Sequence, residues 1–109
     1  MDVPDTIDDI TADGFTTTID GAPRHVRYVD ITGIRIETND RGPWLPDCFW
    51  HIDAPGCTVI LENGDPIFTM AILPRLQALP GFDNEQVIKA MQSTDYDSFT
   101  VLAKKPERE

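Results

Sequence analysis

The stretch Cys48-Phe49-Trp50-His51-Ile52-Asp53-Ala54-Pro55-Gly56-Cys57-Thr58-Val59-Ile60-Leu61 decides the fold of this chain. Asp53 to Gly56 is a run of turn formers, and the residues on either side alternate. The pattern predicts a hairpin of Cys48 to Ile52 with Cys57 to Leu61. Pairing Ile52 with Cys57 places Trp50 opposite Val59 and Cys48 opposite Leu61. Side chains alternate across a strand, so these six share one face. Phe49, His51, Asp53, Thr58, Ile60 and Glu62 take the other face. A slip of one residue would turn the apolar set toward water, so the faces are strongly specified.

Upstream, Ile34 to Thr38 alternates cleanly after Gly33, and Phe15, Thr17 and Ile19 alternate with threonines. Both read as strands. Asp20 to Pro23 is a turn cluster from which Arg24 to Val29 returns as a further strand. Downstream, Asn63-Gly64 signals a tight hairpin leading to an edge strand, Pro66 to Met70. The competing reading starts a helix at Asp65-Pro66; Pro74, which lacks an N–H, argues against it. A helix from Ile72 to Leu79 is expected instead, with Ile72, Leu73, Leu76 and Leu79 as its stripe. Asp83 caps a second helix, with Phe82 and Val87 at the staple positions and Val87, Ile88 and Met91 facing the core. Tyr96 to Ala103 closes the fold as a last strand.

Strands followed by helices indicate an α+β fold: an antiparallel β meander of about six or seven strands with two short C-terminal helices packed on one face. A bent sheet capped by a C-terminal helix, as in pleckstrin-homology-like domains, is a variant of the same element order. Residues 6–104 form the single domain, with 1–5 and 105–109 as flexible ends.

The chain of 109 residues carries nineteen acidic and nine basic side chains, a formal charge of −10. That field repels phosphate backbones and anionic membranes, and it admits a basic protein surface. No apolar run approaches a membrane span. Met1 to Asp9 has neither the basic start nor the apolar stretch of a signal peptide, so the expected compartment is cytoplasmic, with both cysteines reduced.

The strings TNDRGPWLPDCFWHID (Thr38 to Asp53) and RLQALPGFDNEQVIKAM (Arg75 to Met91) resemble a family of small bacterial proteins of uncharacterised activity. The likeness spans the C-terminal two-thirds of the chain, and LPGFDN is its most distinctive segment. It implies one compact bacterial domain and transfers no catalytic residue.

Candidate chemistry is sparse. Cys48, His51 and Cys57 have zinc-type donors, but the hairpin sends His51 to the face opposite both thiols, and no fourth ligand stands near. The same geometry separates the cysteines too far for a disulfide and keeps His51 from serving Cys48 as a base, so that only His25, brought near by tertiary folding, could do so. Carboxylates are abundant in turns, with none singled out for acid–base work. No phosphate loop or nucleophile elbow occurs. No catalytic residue, metal or cofactor is therefore assigned. The loop Asp40 to Asp47 is the candidate binding element: it is long, stiffened by Pro43 and Pro46, and carries Arg41 and Trp44, residue types that dominate interface hot spots. Asp40, Arg41, Trp44, Asp47 and His51 form the expected binding set; Trp44 folds onto the core in one reading and anchors a partner in the other. The function expected is a non-enzymatic interaction module binding a basic protein or a second copy, with an immunity-type inhibitor as its specific form. The alternative is a small-ligand-binding domain or small enzyme with a pocket between sheet and helices.

Overall fold

The hairpin is present in the computed structural model, which describes residues 5–38, 48–92 and 97–103. Strands β1 (Thr6–Ile10), β2 (Gly14–Ile19) and β3 (Ala22–Arg27) form one antiparallel sheet in that order. Strands β4 (Gly33–Thr38), β5 (Cys48–Ala54), β6 (Cys57–Glu62) and β7 (Asp97–Ala103) form a second, ordered β6-β5-β4-β7. With helices α1 (Leu73–Gln77) and α2 (Asn84–Gln92) this is the expected α+β fold. The expected single meander divides in two because a 3-10 turn, Tyr28–Asp30, interrupts the ladder between β3 and β4.

Within the hairpin, Ala54 pairs with Cys57, Ile52 with Val59 and Trp50 with Leu61. The register is displaced by two residues from the expected one. Pro55-Gly56 makes the whole connection: Gly56 has φ 80°, and proline before a positive-φ glycine is the type II arrangement. A shift of two preserves every face, so Trp50, Ile52, Val59 and Leu61 are all buried. Ile34 pairs with Ile52 and Ile36 with Trp50, extending the same apolar rows across β4.

The three-stranded sheet begins earlier than the sequence suggested. Asp20 (φ 52°) and Gly21 (φ 81°) form a two-residue turn, so β3 starts at Ala22. Pro23 is tolerated because β3 is an edge. Strand β1, unsignalled by its sequence Thr-Ile-Asp-Asp-Ile, pairs along β2. Asp5 ties it to the other sheet: its N–H donates to Ile60 O (2.7 Å) and its carboxylate accepts from Ile60 N–H (2.9 Å).

The helical layer departs most from expectation. Asn63-Gly64 is no hairpin turn, since neither residue has positive φ, and no strand follows. A continuous helical segment runs over 66–77. Asp65 caps it, its Oδ1 accepting from Ile67 N–H (2.8 Å), with Pro66 in the first turn. Pro74 is accommodated by a π-helical turn, Phe68–Ile72, in which Leu73 N–H donates to Phe68 O. That widened turn relieves the clash a proline ring makes in a regular helix.

Helix α2 is capped as expected, Asp83 Oδ1 accepting from Glu85 N–H (3.0 Å) and Gln86 N–H (3.3 Å). Its buried side is not the expected one. Ala90 is buried and Val87 packs against the core, while Ile88 and Met91 are exposed. The helix lies over β7 and β4, and the small Ala90 side chain permits a close approach there. At roughly 100° per residue, centring on Val87 and Ala90 turns Ile88 outward. Beneath the layer, Trp50 lies 5.1 Å from Phe68 and stacks on Phe82 at 6.4 Å, with its Nε1 donating to Asn63 Oδ1 (2.9 Å).

Candidate functional site

Three places gather chemistry-bearing side chains. The first is the face of the four-stranded sheet opposite the helices. There Arg35 pairs with His51 across β4 and β5, and Glu37 stands one alternate position further along β4. Arg35 Nη1 donates to Glu37 Oε2 (2.9 Å), and Arg35 Nη2 lies 3.4 Å from His51 Nδ1. A guanidinium has no acceptor, so Nδ1 accepts in that contact and the ring proton is assigned to Nε2. Glu37 Oε1 lies 3.2 Å from Nε2 but off the N–H direction, an electrostatic contact rather than an aligned hydrogen bond. The His51 side chain is only 7% exposed. The cluster ties β4 to β5; it does not present a base to solvent.

The second place is the exposed side of the three-stranded sheet. Thr16 Oγ1 lies 3.4 Å from His25 Nδ1, and His25 Nε2 lies 3.3 Å from Asp13 Oδ1. Arg27 also approaches Asp13, at 3.5 Å. Hydroxyl, imidazole and carboxylate stand in relay order. Acyl transfer further requires oxyanion donors in a water-excluded site, and both His25 and Asp13 are exposed. The hydrogen bond from Thr11, and then the neighbouring His25, hold the Asp13 carboxyl below its usual range.

At the junction of the two sheets, the Tyr28 hydroxyl is buried and has no hydrogen-bond partner among the described residues. Burial pushes its phenol up, partly opposed by the Arg75 guanidinium.

The third place is the outer surface of the helical layer. Met70 is 80% exposed, Ile88 57%, Ile67 47% and Met91 46%. These side chains are large and apolar, and they lie on two helical segments, 66–77 and α2. Asn63 Nδ2 lies 3.8 Å from Met91 Sδ.

Of the expected binding set, His51 lies at the first of these places. Asp40, Arg41, Trp44 and Asp47 lie outside the described residues. Asp53, on the same face of β5 as His51, accepts from Thr58 (2.8 Å). Arg35 and Glu37 were missed as partners, although the alternation of Ile34 to Thr38 already put both on one face. The exposed helical side chains were missed because Ile88 and Met91 were assigned to the core. No disulfide joins Cys48 to Cys57: Cys57 pairs with Ala54, six residues along β5 from Cys48, a separation of about 20 Å. Among the described residues no three His, Cys, Asp or Glu side chains converge as metal ligands, and no helix is long and apolar enough to cross a membrane. No protein-family model, curated protein or solved structure matches the chain, so any functional reading rests on its own geometry.

Proposed function

We propose that this protein is a non-enzymatic interaction module whose acidic surface receives a basic protein partner. The observation that carries the reading is the exposure of Ile67, Met70, Ile88 and Met91 on the helical layer of a chain charged −10. Large apolar side chains left exposed on such a layer offer contact points, and a field of one sign speeds encounter with the opposite one. The polar clusters support binding over catalysis, one being nearly closed to solvent and the other open to it. An immunity-type inhibitor that caps a basic toxin is the specific form of this proposal. The test is capture from the native host at low and high salt, followed by reconstitution with the purified captured protein. The expected result is a defined complex with a basic protein that dissociates as salt rises. Recovery of the bait alone removes the reading.

A second reading, a small-ligand-binding domain, has one observation in its favour: the unpartnered Tyr28 hydroxyl. A ligand bound selectively to the native state raises the melting midpoint by mass action. A metabolite that raises the midpoint of the native protein but not of Tyr28→Phe would select this reading.

A further inference from the structure

We infer that Asp5 guards the outer edge of the four-stranded sheet, and that the occupant it excludes is strand β6 of a second copy of this chain. The inference is independent of the interaction-module reading.

Strand β6 ends the order β6-β5-β4-β7, so one row of its main-chain groups faces away from the sheet. The pair Ala54 and Cys57 closes the two-residue turn. This directs the main-chain groups of Cys57, Val59 and Leu61 to β5 and those of Thr58, Ile60 and Glu62 outward. An antiparallel strand added at this edge would exchange two hydrogen bonds with Ile60. Asp5 supplies both. Its N–H donates to Ile60 O (2.7 Å), and its Oδ2 accepts from Ile60 N–H (2.9 Å). The carboxylate stands where the carbonyl of an incoming strand would, so Asp5 imitates one residue of a fifth strand. The chain then leaves β6 to pair with β2.

The other edges are closed in ways that loss of one contact would not undo. Strand β3 carries Pro23, and β1 is bulged between Ile7 and Asp9 and bears two aspartates. Strand β7 has α2 beside it, and Asp83 N–H donates to Val101 O (2.9 Å). The sequence of β6, Cys-Thr-Val-Ile-Leu-Glu, is rich in β-branched residues, carries one charge and lacks proline. Such segments pair readily with copies of themselves. Antiparallel pairing about a two-fold axis at Ile60 sets Glu62 of one copy opposite Thr58 of the other, so like charges do not meet across the ladder. Glu62 O already accepts from Asp65 N–H (3.1 Å) and keeps a second lone pair for the copy.

The test compares wild type, Asp5→Ala and Asp5→Asn by sedimentation velocity over a concentration series. Both substitutions remove one charge, but asparagine keeps an oxygen that accepts from Ile60 N–H. Asp5→Ala should self-associate at least tenfold more tightly than wild type, and Asp5→Asn should match wild type. Asp5→Pro, which lacks the N–H as well, should associate at least as tightly as Asp5→Ala. Salt should strengthen the association by screening the charge of −10. In dilute Asp5→Ala the Ile60 N–H should exchange faster than in wild type. In the associated form the N–H groups of Thr58, Ile60 and Glu62 should slow together, while Val59 and Leu61, already held by β5, do not change. Adding Thr58→Pro to Asp5→Ala should restore wild-type behaviour, since proline removes an outward N–H and leaves the ladder to β5 intact. Equal association of Asp5→Ala and Asp5→Asn would assign the effect to charge and overturn the guard. Wild-type behaviour of both Asp5→Ala and Asp5→Pro would overturn it too, as would slowed exchange at another edge.

Discussion

The four-stranded sheet buries a near-continuous set of large side chains, Ile34, Ile36, Trp50, Ile52, Val59 and Leu61, whereas the three-stranded sheet contributes Phe15, Thr17 and Val26 and is otherwise largely exposed. The first is held by apolar area under the helices. The second depends on local polar bonds, such as Thr17 Oγ1 donating to Thr6 O (2.6 Å), and on one close backbone approach. A Cβ built at Gly14 would stand 1.8 Å from Val26 O, so only glycine lets β2 and β3 pair there. The contrast implies unequal stability: the three-stranded sheet is the unit expected to open first.

Trp50→Ala attacks the stronger region and should have the largest effect, about 4 to 5 kcal/mol, since it removes the ring that Phe68 and Phe82 pack against. Chemical denaturation should show one cooperative loss of both sheets. Gly14→Ala attacks the weaker region and should cost about 3 kcal/mol through backbone displacement. Amide exchange should accelerate in β1 to β3 while β5 and β6 stay protected. Equal acceleration in both sheets would erase the contrast.

How much of this was legible follows the same division. The faces of β5 and β6 were readable because alternation survives an error of two residues in register. The turn itself was misjudged because Asp53 and Ala54 resemble turn residues yet continue the strand. Strand β1 was illegible: Asp8 and Asp9 break any apolar period, and its pairing partner is supplied by β2. The helical segment was misread because the penalty of Pro74 was reckoned for a regular helix, and a π turn avoids it. The buried side of α2 was misread because Ala90 carries little hydrophobicity yet fits the close approach. Within the candidate site, His51 was visible as the polar residue of an apolar strand, but Arg35 and Glu37 become its neighbours only through the pairing of β4 with β5.

The link between the two regions is smaller and separately testable. Asp5→Ala removes the acceptor for Ile60 N–H and should cost about 1 kcal/mol. Loss should appear as faster exchange at the Ile60 N–H of β6 and along β1; a change confined to β5 would mean that the two sheets are coupled elsewhere. Tyr28→Phe sharpens the junction further. Deleting a buried hydroxyl that has no partner among the described residues should be neutral or stabilise by up to about 1 kcal/mol. Destabilisation by a similar amount would reveal a bound water or ligand. Because burial raises the Tyr28 phenol, its contribution is complete below the usual tyrosine range and declines as pH rises through the folded value. The stability of wild type relative to Tyr28→Phe should therefore fall, not rise, in alkaline titration.

Asp13 gives the smallest effect and the one most specific to the three-stranded sheet. Its carboxyl is exposed, and the Thr11 hydroxyl, then His25, lower its pKa. A depressed carboxylate stabilises the fold above its unfolded pKa, and the contribution is lost as pH falls through the folded value. Paired melts of wild type and Asp13→Asn should differ slightly at neutral pH and converge once the pH drops well below about 3.9. Exchange in β2 and β3 should register the difference more clearly than the global midpoint, because Asp13 bonds His25 and Arg27 on β3 and accepts at its main-chain oxygen from Tyr28. A gap that persists to pH 2 would assign the effect to the shape of the side chain rather than its charge. The three-stranded sheet would then be held there by packing, as its larger neighbour is.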